Sequence, residues 1–235
     1  MNNKLLFIVL INSFIFIAVI ILPHTCYSAD DGTPSSNPTM RAALQTAYYL
    51  ETLRTQTYSA FSKKADSEYY PNIARLFSAF AFSESIHANN FKKLLEHLGI
   101  EQPGNVKPEI IVADTKTNLR NAADAELEDI DTHYPRFIAA AKSEGQQEVL
   151  KYFIYALKSE EQHQELLLKI QSKAGMFFPM LANKIEDKPC KYFVCTLCGA
   201  TDTRIPEPVC PVCNEPAAAY RETAYRAQVT YSERK

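Results

Sequence analysis

The sequence predicts a mainly α protein: a four-helix bundle with one long crossover, followed by a small four-cysteine metal module. Two observations carry this. Glu84-x-x-His87 and Glu160-x-x-His163, each preceded by a lone carboxylate one helical hairpin upstream (Glu51 and Glu126), form an internal repeat. Glu51 to Glu126 spans 75 residues, and Glu84 to Glu160 and His87 to His163 span 76 each. Further on, Cys195-x-x-Cys198 and Cys210-x-x-Cys213 stand 11 residues apart. With 235 residues, 46% of them hydrophobic and 22% charged, the chain has the composition of an ordinary globular protein able to bury a sizeable core. A formal net charge of -2, with lysines scattered rather than blocked, sets a nucleic-acid partner aside.

Residues 1–29 read as a secretory signal peptide or an N-terminal membrane anchor. Lys4 precedes a largely apolar run from Leu5 to Leu22, and small residues follow around Cys26 to Ala29. Either way, the positive residue before the run and Asp30-Asp31 after it place the domains outside the cytosol, periplasmic or membrane-anchored. A Ser/Pro/Thr-rich spacer, 30–40, leads into the bundle, 41–175. Leu44, Ala47, Tyr48, Glu51, Thr55 and Tyr58 share one face of a first helix, which breaks between Asp66 and Pro71. Ile73, Phe77, Phe80, Ala81, Glu84, His87, Phe91 and Leu94 mark the inward stripe of a second. Residues 101–115 hold two prolines and a glycine and are not helix. Extended, they reach roughly 50 Å, whereas a 25-residue helix is only about 37 Å long. This is the long crossover of a ferritin-like bundle. A third helix carries Leu119, Ala122, Ala123, Glu126, Asp129, Ile130, His133, Tyr134 and Phe137 inward, with Pro135 as a kink. Gly145 makes a short turn, and Val149, Phe153, Ala156, Glu160, His163, Leu167 and Ile170 mark the fourth. Residues 176–190 read as a linker, and 191–235 as the cysteine module and its tail.

Glu51, Glu84, Glu126, Asp129 and Glu160, with His87 and His163, all lie in apolar stripes. Buried and unpaired, each charge costs several kcal/mol or more, and metal is the natural compensation. Glu at i and His at i+3 share a helical face, so each pair offers oxygen and nitrogen to one ion while a glutamate bridges both. Carboxylates with one nitrogen per metal suit iron or manganese. A single Glu-x-x-His usually marks a solvated face, but two in register with upstream glutamates do not. Glu128, Glu161 and Glu165 fall off the stripes and are expected in solvent, and His97 and His133 are expected as surface or packing residues.

Cys195, Cys198, Cys210 and Cys213 form two knuckles whose amides can donate to thiolates, a tetrathiolate metal site. Gly199 and Asn214, which tolerate a left-handed backbone, follow the two pairs. A structural zinc ribbon and, in an oxidising compartment, two disulfides also fit these cysteines. Cys190 is left over, as an inert thiol or an intermolecular link.

At this point the chain resembles the rubrerythrin family, a ferritin-like diiron domain followed by a rubredoxin-like domain, over roughly residues 41–220. Tyr-Leu-Glu51 leading to Phe61-Ser-Lys-Lys-Ala65, Glu84-Ser-Ile-His87, Glu126-x-x-Asp129 with Tyr134-Pro135, Glu160-Glu-Gln-His163 and the Cys-Pro-Val-Cys of the second knuckle carry the resemblance. It implies a peroxidase: two non-haem irons held by Glu51, Glu84, His87, Glu126, Asp129, Glu160 and His163 reduce hydrogen peroxide, and an iron on the four cysteines returns electrons singly. It also implies that Tyr58 and Tyr134 are hydrogen-bond donors near bound oxygen species, core packing being their alternative. A homodimer is implied as well. Asp129 departs from the family's usual glutamate, a side chain thought to exchange with the helix-two histidine on one iron. One methylene shorter, it binds through water or leaves His87 as the permanent ligand. Outside the cytosol there is no nicotinamide pool, so the electron donor is expected to be a periplasmic carrier such as a cytochrome. A ferroxidase or iron-handling protein, and a non-enzymatic protein with zinc in the cysteine site, stay open as alternative readings.

Overall fold

The computed structural model describes residues 38–104, 109–174 and 190–224. The leader, most of the spacer, the linker and the tail beyond 224 lie outside the described residues. Among the described residues, no helix is long and apolar enough to cross a membrane.

Helix α1 (Met40–Ser67) starts where Thr39 accepts a hydrogen bond from the Ala42 amide, 3.3 Å. Glu144, 104 residues further along the chain, accepts from the Met40 amide at 2.7 Å. The turn after α1 places Tyr69 at φ 65°, and Pro71, in the first turn where no amide partner is needed, opens α2 (Pro71–His97). The short connection makes α1 and α2 an antiparallel hairpin. The crossover then runs the length of α1. Glu101, at its start, accepts from Gln45 Nε2 (2.8 Å), and at its end the Thr115 amide donates to Glu68 (2.8 Å). From 45 to 68 a helix rises about 35 Å. Asp114 caps the next helix through the Thr117 amide, 2.9 Å.

The expected single third helix is two helices in sequence, α3 (Thr115–Glu128) and α4 (Tyr134–Ser143), joined by a π-helical turn over Asp129–His133. There the Tyr134 amide reaches back five residues to the Asp129 carbonyl. The interruption lies before Pro135, which sits in the first turn of α4. Helix α5 (Gln147–Ala174) completes the bundle.

Two apolar clusters flank the middle of the bundle. One gathers Tyr58, Phe77, Phe80, Leu119 and Leu167, and the other Leu44, Phe91, Phe137 and Phe153. The carboxylates and histidines occupy the level between them, all buried. The cysteine module is a three-stranded antiparallel sheet in the order β2-β1-β3, with β1 Phe193–Cys195, β2 Thr201–Asp202 and β3 Tyr220–Glu222. It rests on the bundle, with Tyr192 and Val194 joining the first cluster and Tyr155 of α5 packing against the cysteine core.

Candidate metal centres

Four helices each place one carboxylate at the centre: Glu51 from α1, Glu84 from α2, Glu126 from α3 and Glu160 from α5. Three-residue spacing brings His87 and His163 to the same face as Glu84 and Glu160. The ligand atoms fall into two sets, Glu51, Glu84, His87 and Glu160, and Glu84, Glu126, Glu160 and His163, with the atoms of each set within 4.8 Å of one another. Glu84 and Glu160 belong to both, so they would be the carboxylates shared between two cations.

The distances repeat this symmetry. His87 Nδ1 lies 3.0 Å from Glu84 Oε2, 3.1 Å from Glu160 Oε1 and 3.4 Å from Glu51 Oε2. His163 Nδ1 lies 3.2 Å from Glu84 Oε1, 3.0 Å from Glu160 Oε2 and 3.6 Å from Glu126 Oε1. Each bridging glutamate thus turns one oxygen to each histidine. Glu51 Oε2, Glu84 Oε1, both oxygens of Glu160 and His163 Nδ1 are buried without a hydrogen bond. Orphaned buried atoms of this kind, all aimed at one centre, fit a pair of cations.

The charges strain against one another. Burial, with Glu160 and Glu84 close by, pushes Glu51 and Glu126 well above the usual carboxylate range. Burial would raise Glu84 too, but His163 and His87 hold it far below. For the histidines burial opposes protonation, yet the facing carboxylates, Glu160 at His87 and Glu84 at His163, drive both well above 6.5. Without metal, protons bind these groups instead.

Tyr58 donates to Glu126 and Tyr134 donates to Glu51, both hydroxyls buried. Burial and the adjacent carboxylate push both phenols well above 10, so they remain protonated. They are also packed in aromatic clusters, Tyr58 against Phe61, Phe77 and Phe80, Tyr134 against Phe137 and Phe153.

Asp129 is buried near these sets but belongs to neither. Its Oδ2 takes Arg54, at 3.1 Å from Nε and 3.0 Å from a terminal nitrogen, and its Oδ1 takes His133 Nδ1 at 2.7 Å. Both oxygens of Asp129, a ligand by the family resemblance, are thus engaged by Arg54 and His133. His133 is half-buried, stacks on Phe137 as a packing residue and is paired to Asp129 as well. Arg54 escaped notice in the sequence, although its offset from Glu51 is that of Asp129 from Glu126. Burial works against its charge, and Tyr58, Asp129 and Glu126 outweigh it and raise its pKa. Glu128, Glu161 and Glu165 are exposed, as is His97.

In the second centre the sulfurs of Cys195, Cys198, Cys210 and Cys213 lie within 4.8 Å of one another, buried. Cys195 to Cys213 and Cys198 to Cys210 are each 3.6 Å, too long for a disulfide bond of about 2.05 Å. Four converging thiols fit one thiophilic cation. Gly199 (φ 82°) and Asn214 (φ 62°) close the knuckles, their amides donating to the Cys195 and Cys210 carbonyls at 2.9 Å. Burial pushes Cys213 up to about 12, while neighbouring Cys195 and Cys198 draw Cys210 down. Cys190 stands apart, half-buried, its amide bonded to Asn72.

The two centres touch. His87 Nε2 lies 3.0 Å from the Cys198 carbonyl, so the ring nitrogen is the donor. His163 Nε2 lies 3.2 Å from Thr201 Oγ1, whose own proton goes to the Gly199 carbonyl (3.0 Å). Ser83 also donates to that carbonyl (2.7 Å), Asn90 donates to Leu197 O (2.7 Å), and Gln162 accepts from the Thr201 amide (3.1 Å). A Cβ on Gly199 would stand 2.2 Å from His87 Nε2, so glycine there serves close approach as well as the turn. No spacing rule would have shown the contacts between bundle and module, since they join positions 38 to 116 residues apart.

The family model for rubrerythrin matches residues 42–171. Rubrerythrin-2 of Clostridium acetobutylicum is 32% identical over 175 residues, 72% of this chain and 89% of that protein. Nigerythrin of Nitratidesulfovibrio vulgaris is 30% identical over 184 residues, 77% of this chain and 84% of that one. A solved structure of partially reduced nigerythrin superposes with a TM-score of 0.67 at 27% identity, covering 81% of this chain and 90% of that one. The family model covers the helical bundle, and with the two buried ligand sets these likenesses place the chain in the rubrerythrin family as a diiron redox protein.

Proposed function

We propose that the protein is a non-haem diiron peroxidase that reduces hydrogen peroxide to water, with electrons passing from the four-cysteine site to the bundle. The observation that carries the reading is the bond between His87 Nε2 and the Cys198 carbonyl, which joins a residue of one ligand set directly to a residue of the other. When bound, paired irons supply two electrons to the oxygen–oxygen bond, and a thiolate-held iron supplies single electrons to restore them. Hydrogen peroxide takes up two electrons and two protons to give two waters.

The chain's own groups prepare this. Cys198 O and Thr201 Oγ1 hold the Nε2 proton of each histidine, fixing the ring so that Nδ1 faces the carboxylates as a lone pair once protons leave. Tyr58 and Tyr134 keep phenolic protons beside Glu126 and Glu51, donors poised where oxygen anions would develop. The apolar clusters above and below keep water from the carboxylates. The proposal includes a homodimer, an electron donor outside the cytosol such as a cytochrome, and export or anchoring by residues 1–29.

The test is to load the protein with iron anaerobically, reduce it fully, and add hydrogen peroxide while following the visible absorption of the ferric tetrathiolate. Return of that colour as peroxide disappears is the expected result. A colourless cysteine site, or one that stays reduced while peroxide is consumed, overturns the electron route. Retention of ferrous-ion oxidation and of peroxide turnover in Cys198→Ser points instead to iron handling.

A further inference from the structure

Tyr220 opens β3 opposite Cys195 of β1. It is 4% exposed, and its hydroxyl donates to Cys210 Sγ at 3.2 Å. The residue therefore spans the module: its backbone pairs with the first knuckle's strand and its side chain ends on a sulfur of the second. Phenylalanine would fill nearly the same space, so packing among Cys195, Cys198, Cys210, Cys213 and Ala200 does not call for the oxygen. A hydroxyl placed in a sulfur cluster is a polar atom whose partner is a ligand. Amides around a knuckle come with the backbone fold, whereas this donor comes from one side chain.

We propose that the Tyr220 hydroxyl raises the reduction potential of the four-cysteine site. The inference rests on that site holding iron. One-electron reduction of an iron tetrathiolate adds a negative charge, which spreads onto the sulfurs. A hydrogen bond aimed at one sulfur stabilises the more negative, reduced form more than the oxidised form. Tyr220 touches neither the peroxide site nor its ligands, so it acts as a tuning residue. It lets a weaker external reductant fill the cysteine site and leaves less driving force for the onward step through Cys198 and His87.

The experiment compares the iron-loaded full chain with Tyr220→Phe by metal analysis, visible absorption and spectroelectrochemical titration. At a fixed poise the ratio of reduced to oxidised site is expected to fall several-fold, up to about tenfold, equivalent to about 59 mV for one electron. The iron–sulfur stretching bands in resonance Raman spectra should shift up as the thiolate loses its donor. Should Tyr220→Phe fail to hold iron, 3-fluorotyrosine at position 220, a stronger donor of the same shape, is expected to move the potential the other way. A red iron site whose potential changes less than twofold in that ratio in either variant overturns the role of Tyr220 and leaves the peroxidase reading intact. A colourless zinc site overturns both.

Discussion

Arg54 and Asp129 are held 3.0 Å apart between α1 and the π turn, and they are the same position in the two halves of the internal repeat, three residues after Glu51 and after Glu126. One half carries the cation and the other the anion, so the pair joins the halves of the bundle beside the metal centre. If Asp129 is engaged this way, Asp129→Asn should leave two metals per bundle, whereas Glu126→Gln should lower that number; metal analysis of purified protein decides. Arg54→Met leaves a buried aspartate with only His133. Removing one partner of a buried pair costs about 3 to 5 kcal/mol, to be read from denaturant unfolding. Adding Asp129→Asn to Arg54→Met should recover part of the loss.

Gly199→Ala tests the contact between the centres. The new methyl would stand 2.2 Å from His87 Nε2 on a residue at φ 82°, so the knuckle must withdraw from the bundle. Electron transfer from the cysteine site is expected to slow at least about tenfold, a threshold set by the steep dependence of catalysis on positioning. Stopped-flow absorption of the tetrathiolate measures it, and the metal content of the four-cysteine site should remain unchanged.

The pH response of the metal-free protein follows from the shifted groups. His87, His163, Glu51 and Glu126 all have raised values when folded, so their stabilisation is full below the unfolded values and is lost as pH rises through the folded ones. Glu84 and Glu160 are lowered, and their contribution is lost instead as pH falls below about 4.5. The thermal midpoint of stripped protein should therefore fall as pH is taken upward from 6.5. Metal-loaded protein should hold its midpoint, since cations replace the protons. A stripped protein that gained stability over this range would contradict the charge arrangement.

Tyr58→Phe and Tyr134→Phe keep the aromatic packing and remove the donors to Glu126 and Glu51. Each leaves a buried carboxylate oxygen short of a partner, a penalty of about 1 to 3 kcal/mol in metal-free protein, measurable by chemical unfolding. If the phenols assist the chemistry, peroxide turnover should also fall by about 10- to 100-fold, the order expected for one oriented donor. A loss of stability with full turnover would assign them to packing alone.

Much of this was legible because the ligands share helical periodicity with the core: Glu84 and His87 fall on the stripe of Phe80 and Phe91, and the stripe goes inside. The four cysteines were legible for a different reason, since a knuckle is a local turn with its ligands at fixed spacing. Arg54 was not seen because an arginine at the margin of a stripe has the pattern of a solvated residue, and only the opposing aspartate makes burial tolerable. Ser83, Asn90 and Gln162 were invisible because their partners are backbone carbonyls and an amide of a module that docks from further along the chain, and Thr201 because its partner, His163, lies in the bundle.

The π turn over Asp129–His133 has a counterpart in the arithmetic of the repeat. Before the turn, Glu51 matches Glu126 at 75 residues; after it, Tyr58 matches Tyr134 at 76. One additional residue has entered the second copy, and the wider turn absorbs it, so that Tyr134 still reaches Glu51 as Tyr58 reaches Glu126. In a regular helix an inserted residue rotates everything after it by about 100°. Here the rotation is taken up within a single loop of backbone. The two halves thus differ in length by one residue at this place while every downstream ligand keeps its heading and the halves stay in phase.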